Sequence, residues 1–406
     1  EIIRTMSPAA LEILREWANR YLRSENPHTP SEDDMRGMIS LLHKGKDSTD
    51  NTSDWRPVVL LDAVNQLLGH IVNQRLRDIV EKAGILEPGQ GGYREHRSTD
   101  INTAKMRRLT IRAKRQKQQL LRIDLDFTNA YNAMSQPALW AIMRAFNIPD
   151  VDLLEAMYKH STVRMKPNSD QNATITFDTG VAQGSVLSPL LFIVFINALL
   201  RVLTQTGQKE NISHGINGLD DFNNLAFCDD MSIFAQDARK MQKLLERVEK
   251  FESWSGIKLN PKKTEVMYVG PKQTEPRQEE QLWYNGGVLK INSEDEIYRL
   301  LGYYATADGD FTETKQKVME RTRQEVINIQ HHPLEADEAV DLFISKAVGY
   351  FRFSAAIVTW SQRELENLHR LWKQGYKAAW HLPAGTADAV VAFPKERGAL
   401  VLPNPW

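Results

Sequence analysis

The chain has 406 residues, 42% of them hydrophobic and 25% charged, a globular balance that excludes wholesale disorder and leaves room for two or three domains with real cores. Its formal net charge of −1 excludes a uniformly basic nucleic-acid binder, although a neutral total still permits a local field. With Cys228 as the only cysteine, neither a disulfide within these residues nor a cysteine-rich zinc knuckle can form, which points to a reducing compartment, cytosol or nucleus.

Glu1 opens the chain without the basic segment and apolar core of a signal peptide, and a start at Glu rather than Met suggests a piece of a longer protein. A Ser-Pro start followed by Leu11, Leu14, Ala18 and Tyr21 at helical spacing predicts a helix over 7–23. MISLLH and WRPVVLL, separated by the polar KGKDSTDNTSD, read as strand, loop and strand, and residues 62–83 read as a helix ending at Gly84. GQGGYREHRSTD, 89–100, is a Gly-rich basic loop.

Residues 105–122 carry eight Lys or Arg and no acid, the largest local bias in the sequence. Such a run is either a solvated helix face or a surface that meets phosphates, and the lack of any balancing acid favours the second. LLRIDLD then alternates, with Leu121, Ile123 and Leu125 on one side of a strand and Arg122, Asp124 and Asp126 on the other. A helix is expected over 138–160 and a strand over 173–178. The apolar stretch 186–203 has the length of a membrane span but is interrupted by Ser188, Pro189, Asn197 and Arg201; a Ser cap followed by Pro marks it as a buried helix instead.

Beyond a hairpin at Asp229, Met241, Leu244, Leu245, Val248, Phe251 and Trp254 form the apolar side of a helix stopped by Gly256. IKLN, the turn PKK and TEVMYVG read as a strand pair. Three helices are expected at 312–330, 335–349 and 361–380, the last opened by a capping box from Ser361 to Glu364. The C-terminal region is therefore all-α, joined to an α+β centre.

In AFCDDMSIF, 226–234, Asp229 and Asp230 sit between two apolar runs, as a turn or as metal ligands. Asp33-Asp34 and Asp220-Asp221 show how common the pair is; both read as loop residues. Asp126 raises the second possibility, because a pair of divalent ions needs hard oxygen ligands converging from rigid elements such as strand ends.

Across roughly residues 36–305, the order and wording of the segments resemble a reverse transcriptase of the retrotransposons that lack long terminal repeats. LDFTNAYNAM (125–134), GVAQGSVLSPLLFIVFIN (180–197), FCDD (227–230), SGIKLNPKKTEVMYVG (255–270) and YRLLGYY (298–304) are similar to the family's successive palm motifs. DWRPVVLL, NQRL and GQGGYREHRSTD resemble its fingers segments. The departures are Ala182, Asn132, Cys228 and an added Asp124, none of which removes an expected ligand; Asp124 could pair with Arg122 rather than with metal.

The resemblance implies an α+β right-hand polymerase fold: an N-terminal helical extension (1–35), fingers (36–117 and 138–176), an antiparallel RRM-like palm sheet (118–137 and 177–307) and a helical thumb (308–406). It implies extension of a DNA or RNA primer with dNTPs on an RNA template, with two Mg²⁺ ions, or Mn²⁺, at Asp126, Asp229 and Asp230 and a further contact at Phe127. Arg56, with Lys44 or Lys46, would meet the triphosphate, and Gln183 and Gly184 the nascent base pair. Tyr131 would exclude a ribose 2′-hydroxyl, Lys263 would protonate pyrophosphate, and Arg94, Arg97, Lys114 and Arg115 would meet template phosphates. Structural alternatives stand beside these roles: an ion pair for Arg56, a tight turn for Gly184, core packing for Tyr131, a solvated turn for Lys263. A catalytically silent RNA-binding scaffold and a maturase or telomerase-like relative are the competing functions.

Overall fold

The computed structural model describes residues 5–22, 36–45, 50–51, 54–165, 174–176, 178–212, 214–216, 219–269, 281–292, 296–306, 309–331 and 334–392. Lys46, Asp33-Asp34 and His332 lie outside them. Contacts divide the chain into two compact units, Glu1–Ser98 with Leu121–Val266 and Gln273–Lys290, and Thr99–Leu120 with Met267–Lys272 and Ile291–Trp406.

The chain begins with α1 (Pro8–Leu22), β1 (Arg36–His43), β2 (Trp55–Leu61), α2 (Ala63–Lys82) and the basic α3 (Thr99–Gln116). Next come β3 (Leu120–Leu125), the one-turn α4 (Ala130–Ala133), α5 (Gln136–Ala145), α6 (Val151–Lys159), β4 (Thr162–Met165) and β5 (Thr174–Thr176). The helix expected over 138–160 is thus two helices. Asn147 and Asp150 both adopt left-handed backbone, at φ +54° and +61°, on either side of Pro149, which lacks the N–H a continuous helix would use. β1 pairs antiparallel with β2 and parallel with β4, giving a sheet in the order β2-β1-β4-β5.

Then follow α7 (Ser188–Glu210), β6 (His214–Ile216), β7 (Leu219–Phe222), β8 (Asn224–Phe227), β9 (Asp230–Ala235), α8 (Ala238–Ser255) and β10 (Glu265–Val269). α7 is long and apolar enough to cross a membrane, yet most of its side chains, from Leu190 to Leu203, are buried within the protein, as in a core helix. Ser188 is its first residue rather than its cap, and the hydroxyl donates to the Ala182 carbonyl at 2.7 Å. α5 and α8 pack on α7, where Phe195 and Phe251 meet edge to face. Gly256 ends α8 at φ +86°, a left-handed conformation suited to glycine. Trp254, expected on the apolar side, is 52% exposed.

β9 pairs antiparallel with β3 on one side and with β8 on the other, and β10 lies next to β3 in the same sheet, in the order β10-β3-β9-β8. The expected alternation on β3 is incomplete: Arg122 is as buried as the leucines beside it, so both faces of the strand are covered. IKLN is not a strand; Leu259 forms a single bridge to Phe127.

The second unit holds β14 (Ile297–Leu300) and β15 (Tyr303–Thr306), preceded by β11 (Leu282–Tyr284) and β12 (Gly287–Leu289) of the first unit and by β13 (Ile291–Asn292). Its helices are α9 (Thr312–His331), α10 (Ala336–Phe343), α11 (Gly349–Ala355) and α12 (Gln362–Ala379); a π-helical turn at Ile344–Val348 joins α10 to α11, so the helix expected over 335–349 is present and runs on to Ala355. Phe343, Leu368, Trp372 and Tyr376 form their shared core, and the Ser361–Glu364 capping box opens α12. α3 belongs to this unit rather than to the 36–117 segment that encloses it in the sequence. Tyr303 Oη donates to Asp100 at 2.9 Å, and Arg107 Nη1 donates to the Ile357 carbonyl at 2.6 Å.

Candidate active site

The site is built at one end of the β3–β9–β8 sheet, wholly within the first unit. β8 and β9 form a hairpin in which Phe227 pairs with Asp230, leaving Cys228 and Asp229 as a two-residue turn. Cys228 takes φ +62°, the sign that the first position of a type II′ turn requires and one a side chain adopts at a cost. On the other side of β9, Leu125 pairs with Met231, so Asp126, the residue that follows β3, comes level with Asp230. Antiparallel pairing thus brings residues about a hundred positions apart to one edge.

Asp126 is held by its backbone: its carbonyl accepts the Asn260 N–H at 2.7 Å, and Thr128 N–H donates to the Lys258 carbonyl at 2.8 Å. Its carboxylate is partly exposed and lies 3.8 Å from Lys263 Nζ. Asp229 is exposed by area yet crowded by the turn. Desolvation pushes its carboxyl above the usual aspartate range, the nearby Asp126 charge pushes the same way, and Arg56 opposes them. Asp126, Asp229 and Arg56 are therefore within electrostatic reach of one another.

Asp124 settles differently. Arg122 forms a bidentate ion pair with it, the Nε arm at 2.9 Å, and Ser232 Oγ donates to the same carboxylate at 2.5 Å. Its oxygens are committed inside the sheet.

Among the described residues, no group of three or more His, Cys, Asp or Glu side chains is assembled closely enough to enclose a metal ion. Asp126 and Asp229 nevertheless suit a hard divalent cation of the Mg²⁺ kind, which is held by one or two carboxylates and completed by substrate phosphates rather than by an all-protein cage. A cation would also offset the desolvation and the lesser Asp126 repulsion that together raise Asp229. Phe127 buries its ring, so any contact from that residue would come from its main chain.

Gln183 and Gly184 lie against the strand that carries Arg56. Val59 N–H donates to the Gln183 carbonyl at 2.6 Å, and a Cβ on Gly184, at φ +115°, would stand 2.4 Å from the Val59 carbonyl oxygen. The other end of that loop meets the turn after β3: Val181 N–H donates to the Tyr131 carbonyl at 2.9 Å, and Gln183 Nε2 donates to Asn132 Oδ1 at 3.4 Å. Lys44 is exposed at the end of β1, its N–H bonded to the Asp54 carbonyl at 2.8 Å.

Tyr131 is half-buried, stacked on Phe192 with ring centroids 4.5 Å apart, and its hydroxyl lies 2.8 Å from Cys228 Sγ. Burial, reinforced by Cys228, raises its pKa, and burial lifts the Cys228 thiol to about 12, so both stay protonated at neutral pH. Tyr93 lies near the same turn: burial raises its pKa, and Cys228 and the Asp229 charge push the same way.

The expected template contacts divide. Arg94 spends its guanidinium inside the fold, on both oxygens of Glu81 at 2.8 and 2.7 Å and on the carbonyls of Glu87 and Gln90; it braces the Gly-rich loop rather than facing phosphate. Arg97 is exposed in the first unit, and Lys114 and Arg115 are exposed at the end of α3 in the second.

Sequence reasoning passed over Gln90 and Tyr93. The available signal was the cluster Gly89, Gly91 and Gly92, which allows a backbone to approach another closely.

A family model described as "Reverse transcriptase (RNA-dependent DNA polymerase)" matches residues 43–305. The chain is similar to the Retrovirus-related Pol polyprotein from type-1 retrotransposable element R2 of Popillia japonica, 24% identical over 84% of this chain and 47% of that protein. It is also similar to the type-2 element R2DM polyprotein of Drosophila melanogaster, 30% identical over 46% of this chain and 18% of that protein. It therefore spans less than half the length of these relatives. A solved structure of apo telomerase from Candida tropicalis shares the fold, with a TM-score of 0.50 at 11% identity over 92% of this chain and 68% of that one. The chain belongs to the reverse transcriptase (RNA-dependent DNA polymerase) family, with polymerases of non-LTR retrotransposons among its relatives.

Proposed function

We propose that this chain extends a primer 3′-hydroxyl with dNTPs on an RNA template, as the polymerase core of a non-LTR retrotransposon protein. The observation that carries the reading is the approach of Asp126 and Asp229 at one sheet end, with Arg56 within electrostatic reach. Phosphoryl transfer asks for little covalent chemistry from the protein, so the rate must come from positioning and from stabilising charge.

Asp126 and Asp229 would hold Mg²⁺, with Asp230 in support; bound there, the metal would lower the pKa of the primer hydroxyl and neutralise phosphate charge. Arg56, with Lys44 beside it, binds the triphosphate through forked donors. Lys263, 3.8 Å from the Asp126 carboxylate, would give a proton to the leaving pyrophosphate. The Gln183–Gly184 loop, fixed between the Arg56 strand and the Tyr131 turn, seats the nascent base pair, and Tyr131 excludes the 2′-hydroxyl. The first unit then supplies the fingers and palm and the C-terminal helices the thumb, while Arg97, Lys114 and Arg115 steer RNA. Primer extension on an RNA template in Mg²⁺, run with dNTPs and separately with rNTPs, tests this: dNTP-dependent extension is expected, and failure to extend by folded, RNA-bound protein would overturn it.

A further inference from the structure

The catalytic turn does not stand alone. Residues 89–92 run along the outer edge of β8 like a short added strand: Ala226 N–H donates to the Gly89 carbonyl at 2.9 Å and Gly91 N–H donates to the Ala226 carbonyl at 2.8 Å. That pairing covers an edge which would otherwise offer unpaired peptide groups.

Gln90 then turns its fully buried side chain onto the turn itself. Its Oε1 accepts the Cys228 N–H at 3.0 Å and the Gly92 N–H at 2.8 Å, while Nε2 reaches the Cys228 carbonyl at 3.5 Å. One amide thus engages both peptide groups of the residue that precedes Asp229. Cys228 is also the residue held at φ +62°, a conformation that relaxes unless its surroundings fix it. The fit is close on the loop side too, since a Cβ on Gly92 would lie 2.4 Å from Cys228 N.

We propose that Gln90 is a positioning residue for the active site, its amide fixing the Cys228 peptide and thereby the direction in which Asp229 leaves the turn. Gln90 is fully buried and would act through the Cys228 peptide, not by contact with substrate or metal. Its chemistry is specific, because Glu could accept twice but would be unable to donate and would add a third charge beside Asp229 and Asp126, while Asn is one methylene too short. The catalytic part of this proposal rests on the polymerase reading; the structural part does not.

The test is Gln90→Met, which keeps the shape and removes both hydrogen-bonding functions, with Gly92→Ala as an independent way to push the loop off the turn. Hydrogen exchange of the Cys228–Asp230 amides is expected to speed up by about tenfold or more in Gln90→Met, with the rest of the first unit unchanged, as for a local opening. In primer extension, kcat is expected to fall by about 100-fold, the scale of a small misplacement of catalytic groups. The Mg²⁺ concentration for half-maximal rate should rise and RNA affinity should stay put. The double variant should be no worse than the poorer single one, because both act through one seat. Wild-type exchange at the turn in Gln90→Met, or a fall in kcat accompanied by global loss of exchange protection and an unmoved Mg²⁺ requirement, would overturn the proposal. Wild-type protein that extends no primer would count against the polymerase reading alone, since the exchange experiment still decides whether Gln90 holds the turn.

Discussion

Asp124 and Asp126 leave the same strand on the same side, two residues apart, and meet opposite surroundings. Asp124 lies inside the sheet, where Arg122, itself buried, and Ser232 occupy its oxygens. Asp126 lies where the strand ends, with Lys263 at 3.8 Å and Asp229 close enough to be disfavoured as an anion. The first acid is neutralised within the sheet; the second, with only an exposed lysine near it, is the one the proposed function assigns to metal. Identical residues on one face thus acquire different work from how far the neighbouring strands extend.

That contrast can be broken from either side. The largest effect should follow Asp229→Asn, expected to cut primer extension by about 1,000-fold or more, by removing charge stabilisation that acts at the reacting phosphate. Asp124→Asn should instead remove the charge that balances the buried Arg122 guanidinium and cost about 3 kcal/mol of stability, read as a lower midpoint in thermal or denaturant unfolding. Asp229→Asn should also raise stability slightly at neutral pH without added divalent ion. The carboxyl of Asp229 is raised in the folded state, so its favourable contribution is present only below the ordinary aspartate range and is lost as pH rises through the folded value. Removing the charge therefore relieves a cost at pH 7, and unfolding curves at pH 4 and pH 7 check the sign.

Tyr131→Val should raise rNTP incorporation relative to dNTP by about tenfold, measured as the ratio of kcat/KM values; an unchanged ratio would assign the ring to packing on Phe192 alone. The smallest effect is expected at the exposed end of α3. Neutralising Lys114 and Arg115 together should lower the salt dependence of RNA binding by about 1.4 in the log–log slope, and leave the slope alone if that surface only meets water.

The elements that carry the candidate site were legible in short local wording, whereas the roles of its residues came only from the family resemblance. Asp126 ends an alternating strand, Asp229 and Asp230 sit between two apolar runs, and Gly180 and Gly184 bracket a loop that must approach other backbones. What escaped depended on partners distant in the chain. Arg94 looked like a phosphate contact because nothing near it announces Glu81 as its partner through the fold of the loop. α3 looked like part of the segment around it, whereas Asp100 and Arg107 bond to groups about 200 and 250 residues later. The break between α5 and α6 is written in Pro149, which lies inside the stretch 138–160 expected to be one helix. Gln90 could not be found by periodicity, since its significance lies in a peptide group 138 residues away.

The most direct measurement is a paired assay of Asp229→Asn and Asp124→Asn against the wild type, with primer extension on RNA and an unfolding midpoint recorded for each at the same pH. The result expected is a crossed pattern: the Asp229 variant folded and inert, the Asp124 variant less stable but active per folded molecule at low temperature. Extension by the Asp229 variant at a rate near the wild type, or an inert yet fully stable Asp124 variant, would contradict the division of labour between the two ends of β3.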